Sequence, residues 1–128
     1  MADFSELRVW QTAHAVALDT YRITARFPKS EQFGLTAQAR RAAVSIAANI
    51  AEGNGRYSSL DQARFLIIAK GSAKELRSHL FIARDLGFLT PEEQTRTDSQ
   101  LVIVERMLSV LLKYHQSRSH HRSSNFDP

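Results

Sequence analysis

Four stretches of the chain repeat apolar positions at steps of three and four, with polar turn residues between them. In the first, Leu7, Trp10, Ala17, Tyr21 and Thr24 make one stripe and Val9, Ala13, Val16, Ile23 and Phe27 a second beside it, which predicts a helix over roughly 5–26. Pro28, Lys29 and Ser30 stop it. Ser30 or Thr36 is placed to cap a second helix over about 35–53, and Gly53 suits the left-handed position at its C-terminal end. Gly53, Asn54 and Gly55 then turn the chain, and Ser58-Ser59-Leu60-Asp61 opens a third helix that runs to about Leu86. Its seam is Phe65, Ala69, Ser72, Leu76, Leu80 and Ala83, with Gly71 and Ser72 small enough to let a neighbouring helix approach. Gly87 ends it. Thr90-Pro91-Glu92-Glu93 supplies an N-cap, a proline at the first helical position and a glutamate at the third, so a fourth helix is expected over about 91–115. No window alternates with period two between turn signals. The expected fold class is all-α, an antiparallel up-and-down four-helix bundle joined by short loops.

The fourth helix carries a further signal. Asp98, Glu105, Arg106, Ser109 and Lys113 share an arc of about 100°, while Leu101, Ile103, Val104, Met107, Leu108, Val110, Leu111 and Leu112 fill roughly 200° opposite. One helix of a monomeric bundle needs about half that apolar width. Either a second subunit covers the surplus, with Leu101, Val104, Leu108 and Leu111 at the interface, or the stripe is a wide core-facing one with some exposed leucines. Self-association is the expectation.

Two sets of polar residues are candidate contact sites. Arg41, Ser45, Asn49, Glu52 and Arg56 fall at steps of four and three, forming one polar line up an Ala-, Val- and Ile-rich second helix. In a structural reading Arg41, Ser45, Asn49 and Glu52 lie in a helix seam and bond to Glu75, Ser72 or a neighbouring subunit. In a functional reading they line a groove and meet phosphate or a peptide, with Arg41 and Arg56 as the cations. On the third helix Lys70, Lys74, Arg77 and Arg84 form a basic stripe, a candidate nucleic-acid surface whose alternative is a solvated face held partly by Glu75 and Asp85. No RNA-recognition motif or aromatic stacking platform accompanies it, so any binding is expected to follow the backbone and weaken with salt.

At 128 residues the chain fits one bundle domain, residues 1–115, followed by a polar segment, 116–128, expected to be a flexible tail. That tail contributes His120 and His121 beside His115, which suffice for adventitious metal contact only. The net charge of +4 is spread along the chain and permits an acidic partner without requiring one. With no cysteine, thiolate catalysis and disulfides are excluded, which suits a reducing cytoplasm. The N-terminus is acidic where a signal peptide would be basic, and no apolar run approaches a membrane span.

Enzyme chemistry finds little support. His14, between the two stripes of the first helix, reads as a hydrogen-bonded core histidine, and no second histidine shares its face to make a zinc site. Ser45 lacks a nucleophile elbow, and Gly53-Asn54-Gly55-Arg56 follows a helix where a phosphate loop would link strand to helix. Glu52 and Glu75 are able to face each other, but the Glu-x-x-His repeats of di-iron bundles are missing. Neither a catalytic residue, a metal nor a cofactor is expected.

Trp10-Gln11, Phe27-Pro28 with Glu31, Phe33-Gly34-Leu35, Gln38, Arg40-Arg41-Ala42, Ser45-Ile46, Asn49-Ile50-Ala51-Glu52-Gly53, Gly55-Arg56, Phe65, Ala69, Gly71-Ser72, Glu75-Leu76 and Leu80 together resemble the 23S rRNA intervening-sequence protein family. The resemblance covers roughly Phe4 to Leu89 and implies a four-helix bundle that assembles as a ring, usually a pentamer, with no known catalytic activity. That family is similar to the accessory protein of diversity-generating retroelements, a basic pentamer that binds nucleic acid and a reverse transcriptase. The expected role is therefore a non-enzymatic scaffold in contact with nucleic acid or a ribonucleoprotein, with a protein-binding adaptor as the alternative. Where the family often has proline after Ser-Ile, this chain has Ala47, which implies a straighter second helix.

Overall fold

The computed structural model describes residues 3–126, with side chains through Arg118. A short 3-10 turn at Phe4–Glu6 leads into four helices: α1 (Arg8–Thr24), α2 (Leu35–Asn54), α3 (Ser59–Asp85) and α4 (Pro91–Phe126). Among the described residues there is no strand. α1 packs against α2 and α4, and α3 against α2 and α4, while neither diagonal pair brings described Cα atoms within 8 Å. This is the square arrangement of an up-and-down bundle. No described helix is long and apolar enough to cross a membrane.

The core follows the predicted periods. Val9, Ala13, Val16, Thr20 and Ile23 face it from α1, Ala39, Ala42, Ala43, Ile46 and Ile50 from α2, Leu66, Ala69, Ala73, Leu76 and Leu80 from α3, and Leu101, Val104 and Leu108 from α4. The buried alanines let the axes approach, and the isoleucines and leucines fill the layers between them. The buried Thr20 and Thr24 hydroxyls donate to the carbonyls of Val16 and Thr20 at 2.8 and 2.7 Å, so neither is left unpaired.

Several local signals act as the sequence predicts. The Ser58 hydroxyl accepts from the Asp61 amide at 3.1 Å at the start of α3. Thr90 and Glu93 form a reciprocal capping box, each side chain accepting from the other's amide at 3.1 Å. Gly87, at φ 80°, follows α3, and the Phe88 amide returns to the Ala83 carbonyl at 2.8 Å, the six-to-one bond of a Schellman ending. Phe88 then packs its ring 5.6 Å from that of Phe27, and Arg26 pairs with Glu93, closing this end of the bundle.

Other local expectations are corrected. Neither Ser30 nor Thr36 caps α2; the Glu31 carboxylate accepts from the Leu35 amide at 3.1 Å instead. Gly53 is not a left-handed cap but a buried helical residue, and α2 continues to Asn54. Gly71 faces solvent, whereas the buried seam of α3 runs through Leu66 and Ala73. α4 passes the expected end near 115 and stays helical to Phe126, since neither glycine nor proline interrupts the sequence between Pro91 and Pro128. The side chains of His120 and His121 lie outside the described residues. α2 is uninterrupted at Ala47, which packs against the core.

Candidate interaction surfaces

The polar line of α2 lies along its packing seam with α3. Arg41 donates to Glu75 at 2.7 Å and to Gln38 at 2.7 Å, and Ser45 meets Ser72 hydroxyl to hydroxyl at 2.8 Å. Asn49 donates to the Ser45 carbonyl and hydroxyl at 2.8 and 3.0 Å. Glu52 pairs with Arg56, just past the end of α2, whose guanidinium also lies over the Phe65 ring, 4.6 Å from its centroid. Glu52 and Glu75 take different partners, because Glu75 is held between Arg41 and His79. The His79 hydrogen bond, with the Arg41 charge, keeps the Glu75 carboxyl below its usual range. Neither Ser72 nor Asn49 is a base able to take the Ser45 proton at neutral pH. Among the described residues no three carboxylates or histidines group as a metal site.

The basic stripe of α3 divides. Arg77 reaches across to α4, placing Nε 2.8 Å from Asp98 Oδ1 and Nη1 2.9 Å from Glu105 Oε2. Its side chain is only 28 % exposed, and Asp98 before Glu105 raises its pKa further above the ordinary arginine value. Arg77 is therefore a strut between helices, which corrects its assignment to the nucleic-acid surface. Lys74 stands 3.1 Å from the second oxygen of Glu105 but remains largely exposed. Arg84 pairs with Asp85 at 2.9 Å and lies over the Phe81 ring. Lys70, partly buried, forms no ion pair among the described residues.

On α4, Leu101, Val104 and Leu108 are fully buried inside the single chain, and Leu111 packs partly against the same core. Leu101, Val104 and Leu108 therefore cannot be the outward interface, which corrects the sequence expectation for these three, while Leu111 keeps part of its surface. A wide apolar arc does reach solvent, but through Ile103, 45 % exposed, and Val110, 68 % exposed. The reason is geometric: two neighbouring helices cover more of α4 than one stripe width, and only the arc's flanks remain.

Sequence reasoning missed the outward face of α1 and α2. Part of the first α1 stripe stays near the surface, so Trp10 and Tyr21, with Leu18 beside them, line an apolar hollow with Val44 and Ala48 of α2. His14 belongs to it, exposed and stacked 4.7 Å from the Trp10 ring, where a buried core histidine was expected. Arg40 lies over the Tyr21 ring at 4.6 Å while bonding to Thr24 at 2.8 Å, and beside them Phe33 is 89 % exposed. The doubled stripe of α1 was the available signal, since one bundle can bury only one of the two.

A family model described as 23S rRNA-intervening sequence protein matches residues 5–110. Among solved structures, the chain is similar to a protein of unknown function from the S23 ribosomal protein family of Bacteroides thetaiotaomicron. The two share 22 % identity and a TM-score of 0.74, over 82 % of this chain and 98 % of that one. The likeness is one of fold. No curated protein matches the chain.

Proposed function

The chain belongs to the 23S rRNA-intervening sequence protein family, and from that premise we propose that it is a non-enzymatic, self-assembling helical scaffold that contacts nucleic acid or a ribonucleoprotein. The observation that carries the reading is the run of large apolar side chains left in water on the outer faces: Leu18, Tyr21 and Val44 on α1 and α2, Ile67, Ile103 and Val110 on α3 and α4. A soluble bundle rarely leaves so much apolar surface uncovered on opposite sides. If the two different faces meet, the contact is head-to-tail, and such a contact closes into a ring where its rotation allows. A pentameric ring is the form the family resemblance implies.

In this reading the nucleic-acid face is centred on Lys70 and Lys74, with Arg41 and Arg56 at the neighbouring seam, because Arg77 is already committed to Asp98 and Glu105. The contact is to phosphate and therefore salt-sensitive. A protein-binding adaptor is the second reading, favoured by the almost wholly apolar hollow around Trp10, Leu18 and Val44. Light-scattering mass, with and without a pool of RNA and single-stranded DNA at low and moderate salt, separates them. A multiple of 14.5 kDa that gains nucleic-acid mass at low salt, and loses the gain in Lys70→Glu with Lys74→Gln, supports the scaffold on nucleic acid. An oligomer indifferent to the pool favours the adaptor, and a monomer overturns self-assembly.

A further inference from the structure

Two outer surfaces of the bundle match in length and are opposite in shape. Between α1 and α2 the apolar hollow is floored by Ala17, Ala47 and Ala48 and walled by Trp10, Tyr21 and Val44. On α4, Ile103, Val110 and Tyr114 recur at steps of seven and four, so they stand in one row, and each is at least 45 % exposed. Trp10 and Tyr21 are eleven residues apart on α1, and Ile103 and Tyr114 are eleven apart on α4, so at about 1.5 Å per residue each feature runs about 16 Å. A floor of alanines admits a row of larger side chains, whereas two hollows set face to face leave their floors unfilled.

Charge at the two ends fixes the direction of the row. In the up-and-down bundle α1 begins where α2 and α4 finish. At that end of the hollow Asp3, Glu6 and Glu52 are exposed, the last shared with Arg56. Arg40 and Arg41 flank the other end, beside Tyr21 and Val44. Along α4, Glu92 lies at the end of Arg40, and Lys113 and Arg118 at the acidic end, with Arg96 and Arg106 between. Two bundles running the same way therefore set Lys113 and Arg118 against carboxylates. Reversed, the same cations fall on Arg40 and Arg41, and like charges brought together oppose docking.

We propose that the row Ile103, Val110 and Tyr114 of one copy seats in the Trp10 to Tyr21 hollow of the next, with the two bundles running the same way. This rests on the self-assembly reading and adds to it which faces meet and in which direction.

The absence of cysteine from the chain makes disulfide linking a clean test. Ala48→Cys and Val110→Cys both alter exposed positions, and α2 and α4 bring no described Cα atoms within 8 Å of each other, so no bridge forms inside one chain. The same holds for Glu6, in the Phe4–Glu6 turn, against Lys113 of α4. On oxidation and a non-reducing denaturing gel, the chain carrying both Ala48→Cys and Val110→Cys is expected to give a ladder of linked copies, while each single variant stays unlinked. Glu6→Cys with Lys113→Cys is expected to link as well, and Arg41→Cys with Lys113→Cys is not. Light-scattering mass of the same samples keeps the two readings apart. An oligomer without the ladder, linking by either single variant, or linking of the Arg41 pair in place of the Glu6 pair overturns this contact and leaves self-assembly standing. A monomer overturns both.

Discussion

Gly53 of α2 passes so close to Phe65 of α3 that a methyl group on it would stand 3.1 Å from the Phe65 Cβ, and 3.3 Å from the Gln62 carbonyl oxygen. Neither neighbour is the free end of a side chain, so neither yields cheaply. Alanine is favoured over glycine in a helix by about 1 kcal/mol, but overpacking costs about 1–3 kcal/mol. Gly53→Ala is therefore expected to lose about 1 kcal/mol net in urea unfolding, and a gain would show that the α2–α3 seam is looser than drawn.

Gly71→Ala makes the opposite prediction by the same arithmetic. This glycine lies in the middle of α3, exposed, with nothing within 4 Å of the position a Cβ would take. The propensity term acts alone, and the variant is expected to gain about 0.8–1 kcal/mol. A loss would place a partner over that face of α3.

Arg77→Met removes the strut between α3 and α4, leaving Asp98 without this cation and the buried Glu105 with only the exposed Lys74. Breaking a fully buried pair costs about 3–5 kcal/mol, and the partial exposure of Arg77 reduces this to about 2 kcal/mol. Lys70→Met, with no ion pair to break, is expected to change stability by less than about 0.5 kcal/mol. Equal effects of the two, measured by denaturant unfolding, would refute the division of the stripe.

Leu108→Asp buries a carboxylate in the core and is expected to unfold the chain, seen as loss of helical circular dichroism. Ile103→Lys with Val110→Lys alters only exposed positions. That pair is expected to keep the helical signal while lowering the light-scattering mass. An unchanged oligomeric mass would remove the flank of α4 from the proposed contact.

Acid should weaken the bundle through two carboxyls. His79 and Arg41 lower the Glu75 pKa, while Arg26 and Thr90 lower that of Glu93. The unfolded chain then binds more protons between the folded values and about 4.3, the ordinary glutamate value. Their contribution is whole above that pH and is lost as pH falls through the folded values. His115, also lowered, adds loss of the same sign beginning below about pH 6.5. Urea midpoints across this range should fall less steeply below pH 4.5 in Glu93→Gln, and identical slopes would show that the Arg26 contact does not persist.

The helices were legible because their signals are local. Thr90 to Glu93 spells its own capping box, Gly87 its left-handed turn, and Ser58 with Asp61 the start of α3, whatever the rest of the chain does. The cap of α2 was missed because Glu31 reaches forward from a 3-10 turn at Lys29–Glu31 that the sequence pattern does not announce. His14 was misplaced because two adjacent stripes on α1 look equally apolar in sequence, and only docking shows which one turns inward.

The sequence by itself determined an all-helical chain of four segments and the starts of α3 and α4, since propensity, capping and period act within a few residues. The tertiary structure alone decided which cations are free. Arg41 meets Glu75 across 34 residues, and Arg77 meets Asp98 across 21 and Glu105 across 28. A charge stripe on one helix carries no record of the carboxylates a neighbouring helix will set against it, because those distances exist only once the helices have packed.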